Sequence, residues 1–172
     1  LSEVGPDAFY KGEIAALIVK EMEKNGGLIT LQDLKNYNIV EREPLVGDYK
    51  DYKIVSMPPS SSGGTHLIQM LNMLEEFPIK EMGFGSAESI HILAEVMKRA
   101  YADRSKYLGD TDFYKVPSSL TSKEYAMSLN AFISGDKITP SEEVSPGNPY
   151  PYESPDTTHF SVMDSSGNAV SN

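Results

Sequence analysis

The chain has 172 residues, 40% hydrophobic and 23% charged, enough for one ordinary domain with its own core and unlike a disordered composition. A formal net charge of −10, with the lysines and arginines scattered among acids, argues against a nucleic-acid partner, because a phosphate backbone would be repelled. Zero cysteine excludes disulfides and thiolate metal sites, and no apolar run approaches the ~20 residues of a membrane-spanning helix. Leu1-Ser2-Glu3-Val4 has neither the basic start nor the apolar stretch of a signal peptide. Without an initiator Met, the chain is expected to begin inside a longer reading frame or after a removed segment.

Taken in order, the first element is a helix over 11–24, with Ile14, Leu17, Ile18 and Met22 at helical spacing and Gly26-Gly27 as the stop. Thr30 and Asp33 have capping-box spacing at the head of a short helix. From 39 to 57 the pattern turns to β: Ile39-Val40, Leu45-Val46 and then 52–55, with turns expected at Gly47-Asp48 and Lys50-Asp51. The loop Pro58-Pro59-Ser60-Ser61-Ser62-Gly63-Gly64 leads into a helix expected over 65–76. A long helix follows over about 86–107, with Ile90, Leu93, Ala94, Met97 and Tyr101 as one apolar stripe and Glu95 with Arg99 at i,i+4. Thr121 and Glu124 suggest a capping box before a helix carrying Tyr125, Leu129, Phe132 and Ile133.

The stretch 135–156 differs in kind. Pro140, Pro146, Pro149, Pro151 and Pro155 with little apolar periodicity predict an extended or mobile linker. A hairpin is expected next, over 158–163 and 168–171, around Asp164-Ser165-Ser166-Gly167.

The junction Pro155-Asp156-Thr157-Thr158-His159-Phe160-Ser161-Val162 has the composition for self-cleavage. A Thr157 hydroxyl can attack the Asp156 carbonyl and shift the acyl group from nitrogen to oxygen, and water can hydrolyse the ester. The freed threonine then supplies a hydroxyl nucleophile and an α-amino base with an unperturbed pKa of about 7.7–8.0. On spacing alone, Thr157-Thr158 reads first as a strand start with good β-propensity.

Other candidates have structural readings beside their chemical ones. Pro58 to Gly64 is either an anion-binding loop or a turn whose serines cap the next helix; it lacks the Lys of a phosphate-binding loop. His159 shares strand parity with Thr157 and Ser161, so it either supports processing or is a hydrogen-bonded interior histidine. His91 and Glu95 share a helical face, but two ligands without a third make no metal site. Asp103-Arg104 reads as a structural ion pair, Tyr10, Tyr101 and Tyr107 as packing aromatics, and Asp164 as the start of a turn.

Thr157-Thr158-His159-Phe160-Ser161-Val162-Met163-Asp164 followed by Gly167-Asn168-Ala169-Val170 resembles the start of the small subunit of the γ-glutamyltransferases (γ-glutamyltranspeptidases, glutathione hydrolases). Gly5 to Gly12, Gly26-Gly27-Leu28-Ile29-Thr30 through Asp33-Leu34, Met57 to Gly64, and Ala100-Tyr101-Ala102-Asp103-Arg104 through Asp110 resemble that family's large subunit in the same order.

The resemblance implies an α+β fold, part of a four-layer αββα N-terminal-nucleophile sandwich that is incomplete in this chain. It divides the chain into a large-subunit helical and β region (1–134), a proline-rich linker ending at the cleavage site (135–156) and the first, truncated hairpin of the small subunit (157–172). Cleavage falls between Asp156 and Thr157. Thr157 is then the nucleophile and, through its α-amino group, the base, with His159 and Thr158 as possible supporting residues. The implied reaction moves the γ-glutamyl group of glutathione and related compounds to amino acids, peptides or water through a threonyl acyl-enzyme. Neither metal nor organic cofactor is implied. The implied partners are a γ-glutamyl small-molecule substrate and the remaining parts of the same precursor, and the implied location is periplasmic, secreted or cell-surface. The family's substrate-carboxylate Arg lies upstream of Leu1, and its oxyanion-hole glycines and α-amino contacts lie downstream of Asn172. The isolated piece is therefore expected to be inert, since an oxyanion donor alone is worth ~10²–10³ in rate. Two other readings remain: an N-terminal-nucleophile amidohydrolase acting on another amide such as poly-γ-glutamate, and a non-catalytic remnant of the fold.

Overall fold

The computed structural model describes Glu3, residues 5–153, and the backbone of 161–163 and 169–171. It divides into two compact units, Leu1–Arg42 and Glu43–Asn172. The first holds α1 (Asp7–Tyr10), α2 (Glu13–Asn25) and α3 (Leu31–Asn36). Gly26 ends α2 in the left-handed conformation, at φ 70°, which a residue with a Cβ adopts only at a cost. The capping box of α3 is formed: Asp33 N donates to Thr30 Oγ1 at 3.2 Å, and Thr30 N donates to Asp33 Oδ2 at 2.8 Å. Ile39-Val40 forms no strand; residues 37–44 are irregular, and both side chains are exposed.

The second unit opens with an antiparallel hairpin, β1 (Leu45–Tyr49) and β2 (Tyr52–Ser56), in which Leu45 faces Ser56 and Tyr49 faces Tyr52. The expected turn at Gly47-Asp48 is instead part of β1. Gly47 lies against α4 (Ser62–Leu74), where a Cβ would come within 2.8 Å of Ile68 Cγ2, so its glycine serves a close approach and not a turn. The chain reverses at Lys50, the described non-glycine residue with positive φ (51°).

Helix α4 begins three residues earlier than its apolar pattern suggests. Ser61 caps it by accepting from Gly63 N at 3.2 Å, and Gly64 sits so near the Met57 carbonyl that no side chain fits. The loop's serines and glycines thus cap and pack. The helices α5 (Ile79–Met82), α6 (Ala87–Tyr107) and α7 (Lys123–Asn130) follow. The cap of α7 is Ser122, which accepts from Tyr125 N at 3.1 Å, while Thr121 Oγ1 donates to the Ser118 carbonyl inside a preceding 3-10 turn. Met73, Ile92, Val96, Ala100, Tyr107, Leu120, Tyr125, Ala126 and Leu129 form the core between α4, α6 and α7.

The face that α6 turns to this core overturns the sequence expectation. Its apolar stripe is the outer one, with Ile90 58% and Tyr101 53% exposed. The inner line is Ile92, Glu95, Val96, Arg99, Ala100, Asp103 and Tyr107. Charged side chains occupy the interior because each finds partners there. The last described strands, β3 (Ser161–Met163) and β4 (Ala169–Ser171), pair antiparallel with Val162 opposite Val170, in keeping with the hairpin expected from sequence. Mixed helix and antiparallel sheet agree with an α+β class.

Candidate functional site

Asp156, Thr157, Thr158 and His159 lie outside the described residues. What the structure describes is the path by which the chain reaches them. Residues 139–153 are hydrogen-bonded at successive points to α6 and the 3-10 turn Ser118–Thr121, and the described part of the proline-rich stretch includes two short 3-10 turns, Ser141–Glu143 and Tyr150–Tyr152. It acts as a strap, anchored at successive points.

The first anchor is Thr139. Its N–H donates to Glu95 Oε1 at 3.1 Å, and its carbonyl accepts from Lys98 Nζ at 2.7 Å. Glu95 is itself buried and pairs with Lys98 at 2.7 Å and Arg99 at 2.8 Å. Burial raises the pKa of the Glu95 carboxyl, but the bonds from Lys98, Thr139 and Arg99 outweigh it and bring the group down to about 2. Arg99 also donates to the Phe132 carbonyl and, at 3.3 Å, to Thr139 Oγ1. The i,i+4 pair that resembles a surface contact in sequence is thus an interior clamp.

The second anchor is Gly147. Its N–H donates to Asp103 Oδ1 at 2.8 Å and its carbonyl accepts from the Tyr107 hydroxyl at 2.6 Å. Asp103 is wholly buried and its other oxygen accepts from Tyr125 Oη at 2.7 Å and Gln69 Nε2 at 2.6 Å. It therefore serves the strap and the core, and does not form the ion pair with Arg104 that adjacency suggests; Arg104 sits over the Tyr101 ring instead. Burial, then the bond to Asp103, pushes the Tyr125 phenol above its ordinary range, so it remains a donor. Glycine is required at 147 by the close approach: a Cβ would collide with the Tyr125 hydroxyl and lie 2.8 Å from Leu129 Cδ2.

The last anchors are Pro149, whose carbonyl accepts from Ser119 Oγ at 2.8 Å, and Glu153, whose Oε1 accepts from Ser119 N at 2.7 Å and Ser118 Oγ at 3.2 Å. Burial raises the Glu153 pKa, but these bonds more than compensate and hold it below the usual carboxylate range. Between the anchors a cleft of about 830 Å³ remains, bordered by Arg99, Leu129, Phe132 and Tyr150 among others. The strap is held at points and not packed along its length.

The remaining sequence candidates take structural parts. His66 is buried, with Nδ1 2.8 Å from Gln69 Oε1. Burial lowers its pKa, and Gln69 and Asp103 only partly restore it, which favours the neutral ring. His91 Nε2 meets the Ser134 carbonyl at 2.8 Å while Glu95 is engaged elsewhere. Among the described residues no group of three or more His, Asp or Glu side chains is placed to hold a metal ion. No described helix is long and apolar enough to cross a membrane.

Sequence reasoning missed the anchors. A signal was present in the i,i+4,i+8 line of Glu95, Arg99 and Asp103, a charged stripe on the flank of an apolar one. It reads as local pairs, Glu95 with Arg99 and Asp103 with Arg104, because many of its true partners, the backbone groups of Phe132, Thr139 and Gly147 among them, lie more than 30 residues away.

The comparisons with known proteins extend past this geometry. The gamma-glutamyltranspeptidase family model matches residues 1–172. The glutathione hydrolase proenzyme of Escherichia coli is 57% identical over 99% of this chain. The Acylase ACY 1 proenzyme of a Pseudomonas strain is 44% identical over 97% of it. In three dimensions the gamma-glutamyltranspeptidase of Helicobacter pylori matches 84% of this chain and 42% of its own with a TM-score of 0.78 and 51% identity. The chain belongs to the gamma-glutamyltranspeptidase family. It spans about 30% of the length of the curated relatives it matches.

Proposed function

We propose that this chain is the part of a self-processing γ-glutamyltransferase that carries the end of the large subunit and the start of the small one. The observation that carries the reading is a family match running without a break through the Asp156-Thr157 junction. Thr157 Oγ attacks the Asp156 carbonyl carbon, the C–N bond breaks as the acyl group passes to oxygen, and water hydrolyses the ester. The products are a carboxylate at Asp156 and a free α-amino group on Thr157. In the mature enzyme that amine accepts the hydroxyl proton while Oγ attacks the γ-glutamyl amide of glutathione or a related compound, expelling the amine of the leaving group. An amino acid, a peptide or water then takes the γ-glutamyl group from the threonyl ester. His159 and Thr158 are in reach, by sequence, to support the nucleophile, and the chemistry needs neither metal nor organic cofactor.

The domain division at 135 and 157, the four-layer αββα sandwich and a periplasmic, secreted or cell-surface location belong to the same reading. The exposed stripe of α6 supports the sandwich: a helix lying on a sheet presents such a face to it, and the sheet would come from the remainder of the precursor. Similarity to an acylase proenzyme favours one alternative, an amidohydrolase acting on a different amide with the same nucleophile. The decisive experiment is intact-mass spectrometry of the full-length precursor, wild type beside Thr157→Ala, at neutral pH. Thr157-dependent cleavage after Asp156 is expected. A folded wild type that stays whole would leave only the non-catalytic reading. Release of amine from γ-glutamyl substrates, against other amides, separates transferase from amidohydrolase.

A further inference from the structure

We propose that His66 is an acid-sensitive latch on the strap: when its buried ring takes up a proton, it competes with Gly147 for Asp103 and loosens the strap at its middle anchor. The latch lies wholly within the described residues and stands independently of self-cleavage.

Hydrogen-bond direction fixes the state of the ring. Asp103 receives the Gly147 N–H at 2.8 Å, the Tyr125 hydroxyl at 2.7 Å and the Gln69 amide at 2.6 Å. A carboxylate only accepts, so the NH₂ of Gln69 faces Asp103 and its Oε1 faces His66. Oε1 accepts in turn, which puts the proton of the neutral ring on Nδ1, 2.8 Å away. Nε2 is left as a lone pair, buried and with no hydrogen-bond partner among the described residues. This chain alone encloses it, so neither bulk water nor a further segment of a longer protein reaches it. An unpaired lone pair is tolerable there; a charged N–H with no acceptor is far more costly.

The elements packed on α4 are α6, α7, the hairpin and the 3-10 turn Ser118–Thr121. From α6, Asp103 attracts a charge on the ring and Arg104 repels it. On α7, Tyr125 is committed to Asp103, while Lys123 and Glu124 are exposed. The hairpin turns Asp48, Tyr52 and Lys53 to solvent and keeps Tyr49 half-buried, and the 3-10 turn has no titratable side chain. Asp103 is therefore the acceptor that a charged His66 would draw on, one wholly buried amide away, and it is also what holds Gly147. Burial lowers the proton affinity of the closed state below the ordinary 6.5, so an opened relay binds the proton more readily. The latch is at full strength above pH ~6.5 and weakens as the pH falls below it. The Thr139 anchor does not share this response, because Glu95, which accepts its N–H, keeps its charge down to about 2.

The experiment is hydrogen–deuterium exchange on the full-length protein between pH 7 and pH 5, corrected for the intrinsic pH dependence of exchange. Wild type is compared with His66→Asn, which keeps a donor near the Nδ1 position, and with His66→Gln, which fills more of the space; neither ionises. The other histidines stay in all three proteins, so their own response cancels. Pro146 and Pro149 carry no N–H, which helps to resolve the Gly147 amide. Wild-type protection at Gly147 is expected to fall about ten- to twenty-fivefold, the range allowed by one proton taken up at the ordinary histidine pKa. Protection at Thr139 and at Val96 and Ala100 in the core of α6 should hold within about twofold, and Gly147 should stay level in both variants. Level protection at Gly147 in wild type would overturn the inference, as would an equal fall in the two variants. A parallel fall at Gly147, Thr139, Val96 and Ala100 would trace the effect to global unfolding and overturn it too.

Discussion

Asp103 and Gly147, 44 residues apart, are joined by a 2.8 Å hydrogen bond from the glycine N–H to a carboxylate with no exposure to solvent. The same side chain satisfies Tyr125 and Gln69, so one buried acceptor fastens α4, α7 and the strap to α6. Truncation would leave three buried donors without an acceptor at ~1–3 kcal/mol each, not fully additive. Asp103→Ala in the full-length protein is therefore expected to lose about 3–5 kcal/mol. Asp103→Asn should cost less but still about 2 kcal/mol, since an amide NH₂ would face a donor. Chemical denaturation curves measure both.

Gly147→Ala tests the strap from its other side. The new methyl would collide with the Tyr125 hydroxyl and crowd Leu129, and overpacking of this kind costs typically 1–3 kcal/mol. Relief by Tyr125→Phe in the double variant, measured as a coupling in thermal unfolding, would locate the collision at the hydroxyl. Additive losses would place the strain elsewhere.

Glu95 should give the protein an acid limb. Its folded pKa of about 2 lies below the ordinary 4.5, so the unfolded chain binds the proton more readily. The stabilisation is complete above pH ~4.5 and is lost as the pH falls towards 2, with a total on the order of 3 kcal/mol. Unfolding free energy measured from pH 6 to pH 2.5 should fall more steeply for wild type than for Glu95→Gln. Parallel curves would show that the clamp does not hold its charge as the geometry requires.

Met97 lies in the exposed stripe of α6 and is itself 40% exposed. If the remainder of the protein covers that stripe, as the layered reading requires, Met97→Asp in the full-length protein should cost about 2 kcal/mol or more by burying an unpaired charge. A change within about 0.5 kcal/mol, the usual range for a surface position, would remove the support α6 gives to the sandwich.

Local signals in the sequence were legible where local chemistry decides. Gly26 stopping α2, the Thr30–Asp33 box and the bounds of α6 at Ser86 and Tyr107 all depend on neighbouring residues. The orientation of α6 was not legible, because its apolar stripe is genuine and yet turned away from this chain's core. Glu95, Arg99 and Asp103 go inward instead, drawn by backbone groups of the strap that no periodicity reveals. Over 135–153 the prolines excluded α-helix and strand, leaving only the 3-10 turns Ser141–Glu143 and Tyr150–Tyr152, but carried no sign of what the chain lies against. Thr157 lies outside the described residues, and its proposed role rests on family resemblance and not on spacing, since a Thr-Thr pair opens many strands.

A proline-rich stretch invites nicking, yet proteases act on chain they can draw into their clefts, which exposed and unfastened loops permit. Here Thr139, Gly147, Pro149 and Glu153 are each fastened, which leaves the stretch between Thr139 and Gly147 as the longest run without an anchor. Limited digestion of this strap should therefore start between Thr139 and Gly147 and spare the stretch from Gly147 to Glu153.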